Sequence, residues 1–276
     1  MPESRAVLVT GCSSGIGFAT AELLTVHGWH VYASARRPET LAELHGCTHL
    51  ELDVTDDDSM RAAVERIEQE HGAVGCLVNN AGYSLSGAVE SVSIAEARAQ
   101  FETNVFGLAR LTQLVLPGMR GQGWGRVVNV SSMGGRLTFP GGGWYHASKH
   151  ALEALSDALR FEVAGFGIDV VVIEPGLIRT RFAERAVGEI PVGDEPYGRF
   201  NAAVGAATAG AYESGLARRL GGDAEAVAKT IVRAVEARGP RTRYKVTPSA
   251  HLFIGLRRLL PDRAWDAVVG RTYPKP

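Results

Sequence analysis

The sequence lacks the features by which several classes of protein are recognised. No apolar run approaches the ~20 residues that a bilayer-spanning helix needs, and a strand-like apolar run starting at Ala6 leaves no room for a signal peptide before it. The 29 basic and 30 acidic residues nearly cancel, so net charge gives no reason to expect binding to nucleic acid or an anionic membrane. We therefore expect a cytoplasmic protein with no integral membrane segment and no nucleic-acid partner.

Cysteine is also scarce. The three cysteines, Cys12, Cys47 and Cys76, are dispersed and form neither a CxxC motif nor a cluster with histidine. This spacing suits neither a disulfide framework nor a structural metal site. We therefore expect reduced, mostly buried thiols and no bound metal.

What the sequence does contain is a repeated alternation of short apolar runs and longer segments of helical period. Some runs, such as residues 170–173, are continuously apolar, as expected for strands covered on both faces. The predicted strands are residues 6–10, 30–34, 49–54, 74–79, 126–130, 169–174 and 243–246. The predicted helices are residues 15–27, 38–45, 57–71, 93–120, 145–166 and 224–238. Since no linker, repeat or low-complexity tract divides the chain, we predict one α/β domain over residues 1–276, with a doubly wound parallel sheet of three-layer α/β/α type.

A glycine-rich turn follows the first predicted strand and precedes the first predicted helix. Glycines permit a tight turn and let the backbone approach a pyrophosphate, whose charge then lies against the free N–H groups of the helix N-terminus. A plain turn is the alternative, but the position between strand and helix favours a dinucleotide site. The residues predicted to bind the cofactor here are Gly11, Ser13, Ser14, Gly15, Ile16 and Gly17.

The end of the second predicted strand indicates which dinucleotide is bound. An NAD site usually places an acidic residue ~20 residues beyond the glycine turn, whereas this chain has Arg36 and Arg37 there and no acid. A guanidinium grips a 2′-phosphate that a carboxylate would repel. Two solvated arginines are the alternative. We predict NADP(H), with Arg36 the stronger candidate.

A Tyr145-x-x-x-Lys149 motif opens the predicted helix at residues 145–166. Residues four apart share one helix face, so the phenol and the ammonium project to the same side. A cation ~4–5 Å from the phenol favours the phenolate by roughly 3–4 kcal/mol, or about two to three pKa units. Such a tyrosine is suited to general acid–base catalysis. Alternatively, Tyr145 packs and Lys149 is solvated, because YxxxK arises easily by chance.

Together, the glycine turn and the Tyr/Lys pair resemble the single-domain type of the short-chain dehydrogenase/reductase family, whose fingerprint is TGxxxGxG plus YxxxK. The likeness runs from about residue 5 to residue 180. It implies a Rossmann-type fold and an NAD(P)-dependent oxidoreductase. A softer likeness to the hydroxysteroid and retinol dehydrogenase branch implies a bulky apolar ketone or alcohol as substrate.

The resemblance also implies roles for individual residues. Ser132, 13 residues before Tyr145, matches the catalytic serine better than Ser131 does. Asn104 matches an asparagine that kinks its helix and holds a water in a proton relay to Lys149. The other cofactor-binding positions that it implies are Asp53 and Val54 near the adenine, Asn80, Ala81 and Gly82 beside the adenosine, Tyr145 and Lys149, and Pro175, Gly176, Ile178 and Thr180 at the nicotinamide end.

Simpler roles are open for some of these residues. Ser132 follows a strand at the carboxyl edge, where its hydroxyl can donate to a substrate oxygen, but serines there also form turns. Asn104 could be exposed or could cap a helix, and Asp53 could cap the helix that follows it. His146 and His150 fall on other helix faces than Tyr145, and we treat them as ordinary helix residues.

The last third of the chain is expected to determine specificity. Residues 180–222 form a long interval, which predicts an active-site lid with a short helix near 211–220. Residues 249–276 predict a C-terminal helical extension. This extension is expected to pack on the core, although it could also cap the pocket, pack on a partner subunit or touch a membrane beside Arg257 and Arg258.

The sequence therefore predicts reversible hydride transfer between NADPH and a ketone or secondary alcohol. Tyr145 would exchange the proton, Ser132 would bind the reacting oxygen, and Asn104 would support the proton path. A non-catalytic NADP-binding regulatory protein on the same fold is the alternative. The helices at 93–120 and 145–166 resemble those that pair such enzymes into homodimers or homotetramers.

Overall fold

A seven-stranded parallel sheet forms the centre of the molecule. The computed structural model describes residues 3–179, 196–213, 219–273 and 275. The strands are β1 (Ala6–Val9), β2 (His30–Ala35), β3 (Thr48–Glu51), β4 (Cys76–Asn79), β5 (Gly125–Val130), β6 (Ile168–Pro175), β7 (Ile178–Arg179), β8 (Gly222–Asp223) and β9 (Arg243–Val246). The large sheet has the order β3-β2-β1-β4-β5-β6-β9, and β7 pairs with β8 in a small second sheet. Strands β2 and β3 lie on one side of β1, and β4 and the later strands lie on the other. This reversal of strand order between β1 and β4 creates a crevice at the carboxyl edge of the sheet.

Helices cover both faces of the sheet. They are α1 (Gly15–Val26), α2 (Asp57–His71), α3 (Ile94–Phe101), α4 (Leu108–Gln122), α5 (Gly143–Val163), α6 (Gly198–Glu213), α7 (Ala224–Glu236), α8 (Pro248–Leu259) and α9 (Asp262–Val269). Alternate residues of β1 face opposite sides of the sheet. Val7 and Val9 pack with α1 and α7, whereas Ala6 and Leu8 pack with α2, α4 and α5. None of the helices in the described ranges is long and apolar enough to cross a membrane.

The predicted fold class is confirmed, with local differences. Residues 38–45 form only a 3₁₀ turn, at Pro38–Leu41. The helix predicted at 93–120 contains a π-helical turn, Glu102–Gly107, between α3 and α4. Of the short helix predicted near 211–220, residues 211–213 form the end of α6 and residues 219–220 are helical; residues 180–195 and 214–218 lie outside the described part of the chain.

The last helices pack beside the sheet edge rather than against its centre. Ala250 and Ile254 of α8 and Trp265 of α9 form an apolar cluster with Met133 and Leu137, which follow β5. The indole N–H of Trp265 donates to the Thr138 carbonyl at 3.1 Å. The C-terminal helices are thereby fixed at the same edge of the sheet as the crevice.

Candidate active site

A cavity of about 1330 Å³ opens at the carboxyl edge of the sheet, where the segments after β1, β2, β4, β5 and β6 converge. Most residues predicted for cofactor binding or catalysis line it. These are Gly11, Ser13, Ser14, Gly15, Ile16, Arg36, Asp53, Val54, Asn80, Ala81, Gly82, Ser132, Tyr145, Lys149, Pro175, Gly176 and Ile178. Gly17, Arg37 and Asn104 are not part of the lining, and Thr180 lies outside the described residues.

The glycine turn is shaped by close backbone contacts. Gly11 and Gly15 have φ angles of 72° and 63°, a left-handed conformation that glycine adopts without strain. A Cβ at Gly17 would lie 2.3 Å from the Gly11 carbonyl oxygen. A side chain at this position would therefore disrupt the packing of α1 against the turn. Asn80 Nδ2 donates to the carbonyls of Thr10, at 2.8 Å, and Gly11, at 3.2 Å.

The start of α1 is electrostatically open to an anion. Its first turn contains no acidic residue, so no carboxylate competes for the free N–H groups and the positive end of the helix dipole. The turn and helix together fit a dinucleotide pyrophosphate.

Arg36 and Asp53 line the part of the cavity that the sequence predicts to hold the adenosine. Arg36 is exposed and lines the cavity, whereas Arg37 precedes the 3₁₀ turn and does not. Asp53 Oδ1 accepts from the backbone N–H and the hydroxyl of Thr55, at 2.9 and 2.8 Å. The suggestion that Asp53 caps the next helix is wrong, because Asp56 caps α2.

Ser132, Tyr145 and Lys149 all line the cavity. The Ser132 hydroxyl oxygen accepts from the Gly134 N–H at 3.0 Å, which fixes the side chain at the end of β5. Lys149 Nζ lies 5.9 Å from the centroid of the Tyr145 ring and donates to the Val130 carbonyl at 2.9 Å. The helical spacing therefore brings the ammonium and the phenol to one face.

Lys149 is buried, and its surroundings change its acidity. Burial lowers the pKa of its ammonium to about 8, and the negative charge of Glu153 opposes this shift. Ser131 also lines the cavity, but its hydroxyl is buried without a hydrogen-bond partner. A Cβ at Gly135 would meet both Ser131 Oγ and Glu153 Cγ.

Asn104 supports the site from behind the wall of the cavity. It is buried in the π-helical turn Glu102–Gly107, so the exposed and capping alternatives are wrong. Its Nδ2 donates to the Tyr83 carbonyl at 2.9 Å and to Ser148 Oγ at 3.1 Å, and its Oδ1 accepts from the Tyr83 N–H at 3.1 Å. The side chain thus ties α5 to the segment after β4.

The segment after β6 approaches α8 too closely for a side chain. A Cβ at Gly176 would lie 2.2 Å from Ser249 Oγ and 2.4 Å from Thr247 Oγ1. The Leu177 N–H donates to Ser249 Oγ at 3.0 Å. These contacts fix Gly176 and its neighbours at the cavity, where the resemblance implied a nicotinamide.

The remaining wall is mainly apolar and was not predicted residue by residue. It combines the loop after β5 with α6, α8, α9 and the residues that follow α9. Its apolar and aromatic members include Met133, Phe139, Leu177, Val204, Ala207, Phe253, Trp265, Val268, Val269 and Tyr273. In the sequence, the apolar pattern of the tail from residue 249 onward is the one indication of this wall, and it includes Phe253.

His146 also lines this cavity, contrary to the expectation of an ordinary helix residue. Its ring is buried against Gly134 and Gly142, where a Cβ would lie 2.4 and 2.5 Å from ring carbons. Its Nδ1 accepts from the Phe139 N–H at 3.4 Å. Helix spacing gave no signal for this role, because the loop after β5 folds over the other face of α5.

Comparisons with known proteins agree with this geometry. A family model described as short chain dehydrogenase matches residues 5–189. The chain is 38% identical over 268 residues to an uncharacterized oxidoreductase, YbbO, of Escherichia coli (strain K12), covering 96% of this chain and 94% of that protein. It is also 38% identical over 276 residues to an NADPH-dependent 3-dehydrocapnine reductase of Ornithobacterium rhinotracheale, covering 96% and 95%.

A solved structure of a short chain dehydrogenase/reductase from Burkholderia phymatum, in complex with NAD, superposes with a TM-score of 0.80. It is 26% identical and covers 100% of this chain and 99% of that one. The family match spans most of the chain and the fold is shared over its whole length. The protein is an oxidoreductase that belongs to the short-chain dehydrogenase/reductase family.

Proposed function

We propose that the protein is an NADP(H)-dependent oxidoreductase that interconverts a ketone and a secondary alcohol. The observation that carries the proposal is the convergence of Ser132, Tyr145 and Lys149 on the cavity that also contains the glycine turn. When bound, NADP(H) supplies or accepts the hydride. The chain's own residues must then bind the reacting oxygen and exchange its proton.

Each of the three residues has a distinct task. Tyr145 exchanges a proton with the substrate oxygen, and Ser132 donates a hydrogen bond to that oxygen as negative charge develops there. The Lys149 ammonium, 5.9 Å from the Tyr145 ring centroid, stabilises the phenolate that remains after the proton has left. Asn104 acts as a support for Lys149 and α5 rather than as a surface of the pocket.

The site fits NADP(H) through residues that bind rather than react. The turn at residues 11–17 and the start of α1 suit the pyrophosphate, and Asp53 lies at the adenosine end. Arg36 lines this end with no acid beside it at the end of β2, which suits a 2′-phosphate. One relative is named as NADPH-dependent, whereas the solved structure contains NAD, so the preference needs a direct test.

The cofactor preference can be tested with neighbouring variants. Arg36→Asp should lower the preference for NADPH over NADH, measured as kcat/KM, at least about tenfold, because it removes a charge-assisted hydrogen bond and adds repulsion. Arg37→Asp is the matched control, since Arg37 is equally exposed but does not line the cavity. Equal effects of the two variants would contradict the assignment of Arg36.

The substrate proposed is bulky and apolar. The wall that faces away from the glycine turn consists largely of aromatic and aliphatic side chains, which favour apolar surface over charged groups. We propose that residues 180–222 act as a lid and that the extension at residues 249–276 caps the pocket. The contacts of Trp265 and Phe253 at the cavity support this role for the extension.

The experiment that tests the function is a screen for NADPH consumption over ketones graded by size and polarity. Tyr145→Phe should lower kcat by about 10²–10⁴-fold, because it removes the exchangeable proton and retains the ring. Tyr273→Phe, at another tyrosine of the cavity, is the control and should retain most of the activity. NADPH binding without turnover of any ketone would favour the non-catalytic alternative.

We also propose a cytoplasmic homo-oligomer. Phe161 on α5 is 88% exposed, and Leu155 and Phe166 near it and Phe106 beside α4 are also exposed, which favours pairing of these helices between two copies. A monomeric mass in light scattering would contradict this part of the proposal.

A further inference from the structure

A cluster of buried charged side chains lies behind the catalytic lysine. Glu153, one helical turn beyond Lys149, is 3% exposed, and Glu174, in β6, is 1% exposed. Arg243 of β9 contacts both carboxylates through Nε, at 2.9 Å to Glu153 and 3.4 Å to Glu174. Its Nη2 also contacts Asp157 at 2.6 Å. Buried charge is costly, so two carboxylates around one guanidinium call for a physical reason.

The two buried carboxyl groups differ in their partners. Both oxygens of Glu174 lack a hydrogen-bond partner, and burial together with the charge of Glu153 raises its pKa. Glu153 accepts a hydrogen bond from Arg243 through one oxygen, while its other oxygen is buried and unpartnered. Glu174 is therefore the group that favours a proton, and Glu153 is the one that carries negative charge towards Lys149.

We propose that Glu153 is a positioning residue that keeps Lys149 protonated and so sets the pH range in which Tyr145 exchanges its proton. The link to Tyr145 rests on the proposed function. Glu153 and Lys149 are four residues apart on one helix face, so their interaction acts through space within a buried region. The other charged or titratable groups around them are Tyr145, His146, Asp157 and Arg160 on α5, Glu174 on β6, Arg243 and Lys245 on β9, and Arg136 after β5.

The size of this interaction is large enough to measure. At an effective dielectric near 20 and a separation of ~6–7 Å, one charge shifts the pKa of another by about two units. Arg243 partly neutralises Glu153, so a shift of about one unit is expected for Lys149 when the Glu153 charge is removed. The direction is downward, because Lys149 loses the negative charge that opposes the effect of its burial.

The protonation of Lys149 can be followed without any substrate. The sequence contains four lysines, Lys149, Lys229, Lys245 and Lys275, so full-length protein labelled with ¹³C at the lysine ε-carbon gives a spectrum simple enough to assign with Lys149→Arg. The Lys149 signal should titrate with a midpoint near 8 in the wild type. Glu153→Gln should lower that midpoint by about one unit, and Glu153→Asp should lower it less.

Asp157→Asn is the matched control, because Asp157 also pairs with Arg243 but is 40% exposed and lies two turns from Lys149. It should move the Lys149 midpoint by less than about a third of a unit, since solvent screens its charge. An unchanged midpoint in Glu153→Gln, or equal shifts in the two variants, would overturn the proposal. If Glu153→Gln does not fold, Glu153→Ala, which also removes the negative charge, takes its place, and a wild-type midpoint in that variant overturns the proposal.

The enzymatic consequence separates this proposal from the proposed function. For oxidation of the alcohol that corresponds to the best ketone, the acid limb of the pH–rate profile should move to higher pH in Glu153→Gln, because a less protonated Lys149 stabilises the phenolate less. A wild type with no turnover but with the lysine shift would refute the function and leave the effect of Glu153 on Lys149 intact. A normal wild-type rate and an unmoved profile in Glu153→Gln would refute the role of Glu153 alone.

Discussion

Acidification should destabilise the folded protein through one buried imidazole. His146 is 8% exposed, with its ring packed against Gly134 and Gly142. Burial, followed by the charge of His150, lowers its pKa from 6.5 to about 4. The Nδ1 atom accepts a hydrogen bond from the Phe139 N–H, an arrangement that is available to the neutral ring and lost when Nδ1 is protonated. The native state therefore resists protonation of this histidine.

The sign and the size of the effect follow from this difference in pKa. Between pH 6.5 and pH 4 the unfolded chain binds a proton at His146 that the native state does not, so the free energy of unfolding falls as the pH falls through this window. The gap between 6.5 and about 4 corresponds to about 3 kcal/mol at pH 4. Above pH 7 the imidazole of His146 is largely neutral in both the native and the unfolded state, so it lowers the free energy of unfolding very little.

Urea unfolding followed by circular dichroism at several pH values between 7.5 and 4 measures this contribution. His146→Gln should lose about 3 kcal/mol less than the wild type over that range, whatever its stability at pH 7. His251→Gln is the control, because His251 is an exposed helix histidine that bonds to a backbone carbonyl. Parallel pH dependence of the wild type and His146→Gln would refute a neutral, buried His146.

Two substitutions test how closely the site is packed. Gly17→Ala should lower the free energy of unfolding by about 1–3 kcal/mol and weaken NADPH binding in a fluorescence titration, because the new Cβ meets the Gly11 carbonyl oxygen at 2.3 Å; unchanged binding would contradict this. Trp265→Ala should cost about 3–5 kcal/mol in urea unfolding and raise KM for a bulky ketone more than KM for NADPH, because Trp265 packs on Phe139 and lines the cavity. Equal changes in the two KM values would argue against a cap at the substrate end.

Much of the fold was predictable because it depends on local pattern. The continuous apolar runs identified the strands of the large sheet, and helical period together with turn chemistry placed α1, α2, α5 and α7 within a few residues of their observed ends. The glycine turn and the Tyr145/Lys149 pair could be predicted for the same reason, since both depend on residues that are close in sequence. In both, residues adjacent in sequence or one helical turn apart face the same space.

The parts that could not be predicted depend on contacts between distant segments. Nothing local distinguishes Asn104 from an exposed asparagine, because its π-helical turn is stabilised by bonds to Tyr83 and Ser148. Glu153 has the spacing of a solvated helix residue but is buried where β6, Arg243 of β9 and the loop after β5 lie against α5. Helix geometry alone gives no sign that His146 is buried, because its burial depends on the loop after β5 covering that face of α5.

One part of the cavity lining comes from the segments after the first strands, and the apolar wall comes from the loop after β5, α6 and the C-terminal helices. The glycine turn, Arg36 and Asp53 belong to segments fixed by the large sheet, whereas the apolar wall depends on α8 and α9 bonding back to the loop after β5. The bond from Trp265 to Thr138 spans 127 residues of sequence. We expect changes in α8 and α9 to alter which ketone fits while the groups proposed to bind NADP(H) stay in place. We therefore expect selection of the substrate to depend on the tail and the loop it contacts, and selection of the cofactor to depend on the segments that follow the first strands.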